Sequence, residues 1–272
     1  MVLPRLIEKI FGRIEFQKLF NYLYGFSLAG MNYGCHDLNK TGEMYLLRKL
    51  NQYFSKSTNN ERIIIFDVGA NIGNYSKLIK RIIENDIKLY IFEPSKETFK
   101  KLKQAFKNYD ENILLYNFGL GNKNETRNLY SDKECSGLAS IYKRKLDYTN
   151  INMNKSEIIE LRELDVFCIE NSIKKIHFLK LDVEGNEYAV LKGAKNLLNN
   201  NIIDFIQFEF GGCNIDSRTF FKDFFYLLKP RYKIFRIVKN GLILIDKYSE
   251  KIEIFNTMNY IAVNRRVLKD FL

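Results

Sequence analysis

The sequence predicts an α/β fold built on a doubly wound, Rossmann-like and mostly parallel sheet. Three observations predict it. Ile63, Ile64, Ile65 and Phe66 run into Asp67, and the turn Gly69-Ala70-Asn71-Ile72-Gly73 follows at once, ahead of a helical pattern from Tyr75. Nearly continuous apolar runs recur, as in Leu89-Tyr90-Ile91-Phe92 and Phe178-Leu179-Lys180-Leu181, which suits strands buried on both faces. Strand and helix patterns then alternate, the order that right-handed βαβ crossovers require.

Taken in order, residues 1 to about 55 read as helical. Leu3, Leu6, Ile7, Ile10, Phe11 and Ile14 recur at helical spacing, with Lys and Arg on the other face. Such a helix serves as a lid, an oligomer contact or a membrane-surface segment. Glycines 25, 30 and 34 break the pattern, and Thr41-Gly42-Glu43 leads into a second short helix bearing Met44, Leu47 and Leu50. This divides the chain into a helical extension, 1–58, and one domain, 59–272. Strands are expected over 63–68, 88–93, 113–118, 176–183, 202–210, 232–238 and 259–263. Helices are expected over 75–84, 96–107, 186–198 and 217–228. An insertion over 122–174 holds strands at 125–130 and 157–162 and a helix from about Leu164. Its polar stretch, 131–155, exceeds an ordinary connection.

At 272 residues the chain can bury one large core. No run of 18 apolar residues predicts a spanning helix, and no signal peptide is expected. Four dispersed cysteines, without CxxC spacing, suggest free thiols in a reducing cytoplasm. The net charge of +11 raises a nucleic-acid reading, a protein that binds RNA through a basic surface. The lysines are dispersed, however, and the Lys-, Asn- and Ile-rich composition matches an AT-rich genome. An anionic, nucleotide-linked sugar would be drawn by the same charge.

The chemistry-bearing residues cluster at expected strand ends, where open α/β sheets bind ligands. Gly69 and Gly73 let the backbone approach a ligand, and a helix starting near Asn74 offers free N–H groups. A carboxylate at Asp67 repels a pyrophosphate but suits an amine or sulfonium. Glu93 lies 20 residues after Gly73, placed to take ribose hydroxyls, and Pro94 stiffens its turn. The third strand exits through Asn117-Phe118-Gly119-Leu120-Gly121, an edge suited to an adenine or a simple turn. NAD binding requires GxGxxG and a P-loop requires Gly-Lys-Ser/Thr; neither is present at this turn. Asp182 and Glu184, two apart at a strand end, could hold a cofactor amine, deprotonate an alcohol or bind a metal. Glu187 reads as a helix-start residue. Glu209 interrupts an apolar run and therefore needs a partner or a role in the site. His177 falls at the wrong end of its strand for chemistry, whereas His36 could reach over the site as a base or stand as a solvated loop residue.

The segments Asp67-Val68-Gly69-Ala70-Asn71-Ile72-Gly73, Phe92-Glu93-Pro94 and Leu179-Lys180-Leu181-Asp182-Val183-Glu184-Gly185-Asn186-Glu187 together resemble the FkbM family. These are class I methyltransferases that use S-adenosylmethionine. The resemblance spans roughly residues 60 to 212. It implies a seven-stranded sheet whose last strand, 259–263, is antiparallel. It implies that Asp67, Gly69, Asn71 and Gly73, with Ala70 and Asn74 in the same turn, surround the methionine part of the cofactor. Glu93 and Pro94 would bind the ribose, and Gly119 and Leu120 would flank the adenine. Asp182 and Glu184 would lie beside the sulfonium and the acceptor, and the 136–140 loop would approach the site. The activity implied is O-methylation of a sugar or activated sugar, in surface-polysaccharide modification. Asp182, Glu184, Glu209 and His36 are the candidate bases, and no metal is expected. The remaining alternatives are a nucleic-acid methyltransferase or RNA-binding protein using the basic surface, and a non-catalytic protein that keeps the fold.

Overall fold

A computed structural model describes residues 10–35, 37, 40–57, 61–109 and 111–272. His36 and the apolar positions Leu3, Leu6 and Ile7 lie outside the described residues. Two helices come first, α1 (Ile14–Gly30) and α2 (Glu43–Ser57). The alternating region follows as β1 (Ile63–Val68), α3 (Asn74–Ile82), β2 (Ile87–Phe92), α4 (Lys96–Ala105) and β3 (Ile113–Tyr116). Next come β4 (Gly119–Gly121), β5 (Glu125–Ser131), β6 (Lys155–Glu163) and α5 (Leu164–Glu170). The chain continues through β7 (Ile176–Leu181), α6 (Glu187–Lys192), α7 (Lys195–Asn199) and β8 (Ile203–Phe210). It closes with α8 (Cys213–Ser217), α9 (Phe221–Leu228), β9 (Tyr232–Val238), β10 (Gly241–Ile245), β11 (Met258–Asn264) and α10 (Leu268–Phe271).

The main sheet has the order β10-β9-β11-β8-β7-β1-β2-β3. Strands β3, β2, β1, β7 and β8 run parallel. β11 is antiparallel to both β8 and β9, as expected of the last strand. The seven expected strands are joined by an eighth, β10, which forms a hairpin with β9 through Lys239 and Asn240. It was missed because Gly241-Leu242-Ile243-Leu244-Ile245 is a half-exposed edge with no helix after it. Strand order reverses between β1 and β7, which opens a crevice at their C-terminal ends.

Residues alternate across the sheet as strand geometry demands. Phe66, Phe92, Leu181, Phe208 and Phe210 pack beneath α5, α6 and α9. Ile63, Ile65, Phe178 and Phe205 pack beneath α2 and α3 on the other face. Leu46, Leu47 and Leu50 of α2 are fully buried there, each contributing about 2 kcal/mol. A second sheet, β4-β6-β5, leaves the end of β3 and carries its own apolar cluster of Leu129, Ile141, Ile159 and Leu161.

Three helix expectations are corrected. Gly25 does not break α1 but lies within it. The helix expected over 186–198 splits at Gly193-Ala194, because the Asp165 carboxylate caps a new start by accepting the Asn196 and Leu197 N–H groups at 2.7 and 3.0 Å. The helix expected over 217–228 splits at Arg218, whose φ is +54°.

Candidate active site

β1 delivers the floor of the crevice. Gly69 has φ +81°, and a Cβ there would lie 1.8 Å from the Asp182 carbonyl oxygen, so only glycine lets β1 and β7 pass this closely. Asp67 shares strand parity with Ile63 and Ile65 and therefore points toward α3, beneath the turn. It is fully buried, accepts a 2.6 Å hydrogen bond from Ser76 Oγ and lies 3.5 Å from Lys180 Nζ. Gly73 faces Phe106 and Leu102, where a Cβ would come within 2.4 and 2.8 Å. Asp67 and Gly73 thus stand behind the floor rather than on it. Gly69, Ala70, Asn71 and Asn74 line the cavity. Asn71, at φ +52°, donates from Nδ2 to the Ser136 carbonyl at 3.3 Å, tying the turn to the insertion.

Glu93 follows β2 directly, with both carboxylate oxygens anchored. It accepts the Asn71 N–H at 2.9 Å and the Ser95 N–H at 2.8 Å. Burial pushes its pKa up to about 7, against those two hydrogen bonds. Pro94 follows, and Asn117 Nδ2 donates to the Glu93 and Pro94 carbonyls at 3.0 and 3.1 Å. Gly119 and Leu120 complete this wall, with the Leu120 carbonyl held by Asn186 Nδ2 at 3.1 Å.

The end of β7 carries the densest charge. Lys180 Nζ lies 3.0 Å from Asp182 Oδ2 and 4.6 Å above the Tyr75 ring. Burial works against its charge, yet Asp182, Asp67 and Glu43 hold its pKa well above the ordinary lysine value. Glu184, at φ +51°, accepts a 2.6 Å bond from Arg144 Nη1 of the insertion. Burial, then the Asp182 charge, pushes Glu184 up to about 8, with Arg144 opposing. Burial and the neighbouring acids raise Glu209 well above its ordinary value. Glu209 was expected to have a partner, but it forms no ion pair among the described residues. Glu184, Glu209 and Cys213 bring one donor atom each within 4.8 Å of one another. Burial raises the Cys213 thiol above its ordinary value.

A further wall escaped the sequence reading. Glu43, at the start of α2, accepts from Gln207 Nε2 at 2.8 Å and from Thr41 Oγ1 at 2.9 Å. Gln207 accepts the Tyr75 hydroxyl at 2.6 Å and donates to Asn259 Oδ1 at 3.0 Å. The one available signal was Gln207 itself, a polar residue in a strand buried on both faces.

Two residues are structural, as expected. His177 accepts the Ile64 N–H on Nδ1 at 2.9 Å, far from the crevice, and burial lowers its pKa to about 4. Glu187 accepts the Val183 and Gly185 N–H groups at 2.8 and 3.0 Å, bracing the turn that presents Glu184.

Together these walls enclose a cavity of about 730 Å³, within the range of small-molecule sites. Five acids line it (Glu43, Glu93, Asp182, Glu184 and Glu209) against two cations, Lys180 and Arg144. The basic excess of the whole chain is therefore not focused here.

Comparison with known proteins gives a family match over residues 67–231, to the methyltransferase FkbM domain. A hexuronic acid methyltransferase, AglP of Haloferax volcanii, is 26% identical over 137 residues, covering 50% of this chain and 52% of that protein. The chain thus spans about half the length of this curated relative. Among solved structures, an FkbM methyltransferase from Methylobacillus flagellatus aligns at 16% identity and a TM-score of 0.45, covering 78% of this chain and 47% of that one. The N-terminal domain of human METTL16 aligns at 10% identity and a TM-score of 0.41, covering 81% and 68%.

Proposed function

This chain belongs to the FkbM methyltransferase family, and we propose that it is a cytoplasmic, S-adenosylmethionine-dependent O-methyltransferase acting on a sugar hydroxyl in surface-polysaccharide modification. One observation carries the reading. A glycine turn and an anchored Glu93 flank the crevice where strand order reverses, and Asp182 stands across from them. The residues fit the cofactor. Asp182 is the accessible acid, its side chain 38% exposed, and an acid-rich cavity suits a cation. Gly69, Ala70, Asn71, Asn74 and Asp182 would hold the methionine end, Glu93 and Pro94 the ribose, and Gly119 and Leu120 the adenine. Asp67 and Gly73 would act from behind, shaping the turn.

When bound, S-adenosylmethionine supplies a methyl group already activated by positive sulfur. The protein's tasks are then alignment and exclusion of water. Glu184 takes the hydroxyl proton in this reading, because a pKa of about 8 is matched to neutral pH. Burial and the neighbouring acids favour the protonated form of Glu209, which could then donate to the acceptor, while Asp182 is engaged by Lys180. The hexuronic acid named for the relative supports a sugar acceptor.

Titration calorimetry with S-adenosylhomocysteine tests the cofactor, and absence of binding would overturn it. Mass spectrometry after incubation with saccharides, nucleotide sugars and RNA tests the acceptor. Transfer to RNA alone would favour the nucleic-acid reading.

A further inference from the structure

α1 is an arm of unusual chemistry. Of its 17 residues only Leu28 is buried. Tyr22, Phe26 and Tyr24 are 71, 69 and 61% exposed, and Leu19 and Leu23 are exposed beside them. At about 100° per residue, these five spread over an arc of roughly 200°, within which the exposed Glu15 and Ser27 also fall, and the exposed Gln17, Lys18 and Asn21 share the remaining strip with the exposed Ile14 and the buried Leu28. A single partner helix covers a stripe only about 100° wide. It would leave part of this arc in water.

We propose that α1 binds an anionic membrane surface, with its broad, mostly apolar arc in the acyl boundary and the opposite strip, where Leu28 is buried, turned back toward the protein and water. A lipid interface accepts an apolar arc of any width, and amphipathic tyrosines suit the headgroup level. The charge is complementary: over residues 5–18 Arg5, Lys9, Arg13 and Lys18 outnumber Glu8 and Glu15, Arg13 and Lys18 are exposed, and the chain carries +11 overall. Among the described residues no helix is long and apolar enough to cross a membrane, so the arm lies on the leaflet.

The arm is continuous with the cavity rim. Beyond α1, Tyr33 packs under Arg236, whose guanidinium lies 4.9 Å from its ring centre. The Gly34 N–H donates to the Thr257 carbonyl at 2.9 Å. Cys35, Thr41 and Thr257 all line the cavity. Docking α1 therefore holds the cavity mouth beside the bilayer, whatever the reaction within.

The test is co-sedimentation of the full chain with phosphatidylcholine vesicles, with and without phosphatidylglycerol. The wild type should sediment with the anionic vesicles. Tyr22→Ser/Phe26→Ser should weaken partitioning about 100-fold, and Arg13→Gln/Lys18→Gln should weaken it only where phosphatidylglycerol is present. Both variants should keep the wild-type melting temperature, which separates lost docking from lost folding. Absence of wild-type binding, or binding untouched by Tyr22→Ser/Phe26→Ser, overturns the proposal. So does a dimer, seen by light scattering, that the same double variant dissolves without vesicles being bound. That outcome would make α1 a contact between two copies.

Discussion

Arg144 Nη1 lies 2.6 Å from Glu184 Oε2, which joins the insertion to the turn after β7. The guanidinium opposes the rise that burial imposes on Glu184. Removing it in Arg144→Gln should raise the Glu184 pKa further. If Glu184 is the base, the alkaline-rising limb of kcat/KM moves to higher pH. A uniform loss of rate with an unmoved limb would reduce Arg144 to packing. Glu184→Gln should cost about 100- to 10,000-fold in kcat.

Three buried acids set the pH dependence of stability. Glu93 and Glu187 are pushed up to about 7 and Glu184 to about 8, burial being the first cause in each. The folded state therefore keeps protons that the unfolded chain releases above its ordinary carboxyl pKa. Their stabilisation is complete below about pH 4 and is lost as pH rises through 7 to 8. His177 acts in the opposite sense, since its pKa is lowered to about 4. Its contribution is present above the ordinary histidine value and is lost as pH falls toward 4. Three groups outweigh one, so the melting temperature should fall between pH 5 and 8. A flat or rising profile by scanning calorimetry would contradict the assignment.

Glu93→Gln tests the ribose wall. The amide keeps one oxygen for the Asn71 or Ser95 N–H but loses the charge and the second acceptor. Affinity for S-adenosylhomocysteine should fall about 10- to 100-fold. The fall in stability between pH 5 and 8 should also shrink. Unchanged affinity by calorimetry would remove Glu93 from the site.

The parts of the site legible in the sequence are those written locally. A strand end, a glycine turn and a helix start occupy twelve successive residues at 63–74, and Glu93 and Asp182 close similar units. The opposite wall has no such local grammar. Glu43 and Gln207 are 164 residues apart and Arg144 and Glu184 are 40 apart. Only the folded sheet brings α2 and the insertion over the strand ends. Asp67 shows the converse error. Its place in the motif was plain, but strand parity turns its side chain beneath the turn and away from the cavity. The edge strand β10 begins at Gly241, which pairs with Val238 across the two-residue turn Lys239-Asn240.

Glu43→Ala should expose the cost of the far wall. It leaves Gln207 Nε2 with one of its two acceptors and removes an acceptor of Thr41 Oγ1. A loss of about 1–3 kcal/mol in urea unfolding is expected. Glu43→Gln, which keeps an acceptor oxygen, should recover part of it. Equal losses from both variants would assign the effect to charge rather than to hydrogen bonding.

Gly69→Ala is the most severe test of the crevice. The added Cβ would meet the Asp182 carbonyl oxygen at 1.8 Å, and that oxygen is backbone, so no rotamer relieves the clash. The residue also sits at φ +81°, which an alanine adopts only with strain. Relief requires β1 and β7 to part at their C-terminal ends, where the Asp182 N–H donates to the Val68 carbonyl at 3.0 Å. The variant should therefore be insoluble or should melt many degrees lower, and any folded fraction should fail to bind S-adenosylhomocysteine. Gly137→Ala is the control, since a Cβ there meets nothing within 4 Å, and its melting temperature should match the wild type. A Gly69→Ala protein with wild-type melting and binding would mean that the strand ends yield where the packing says they cannot.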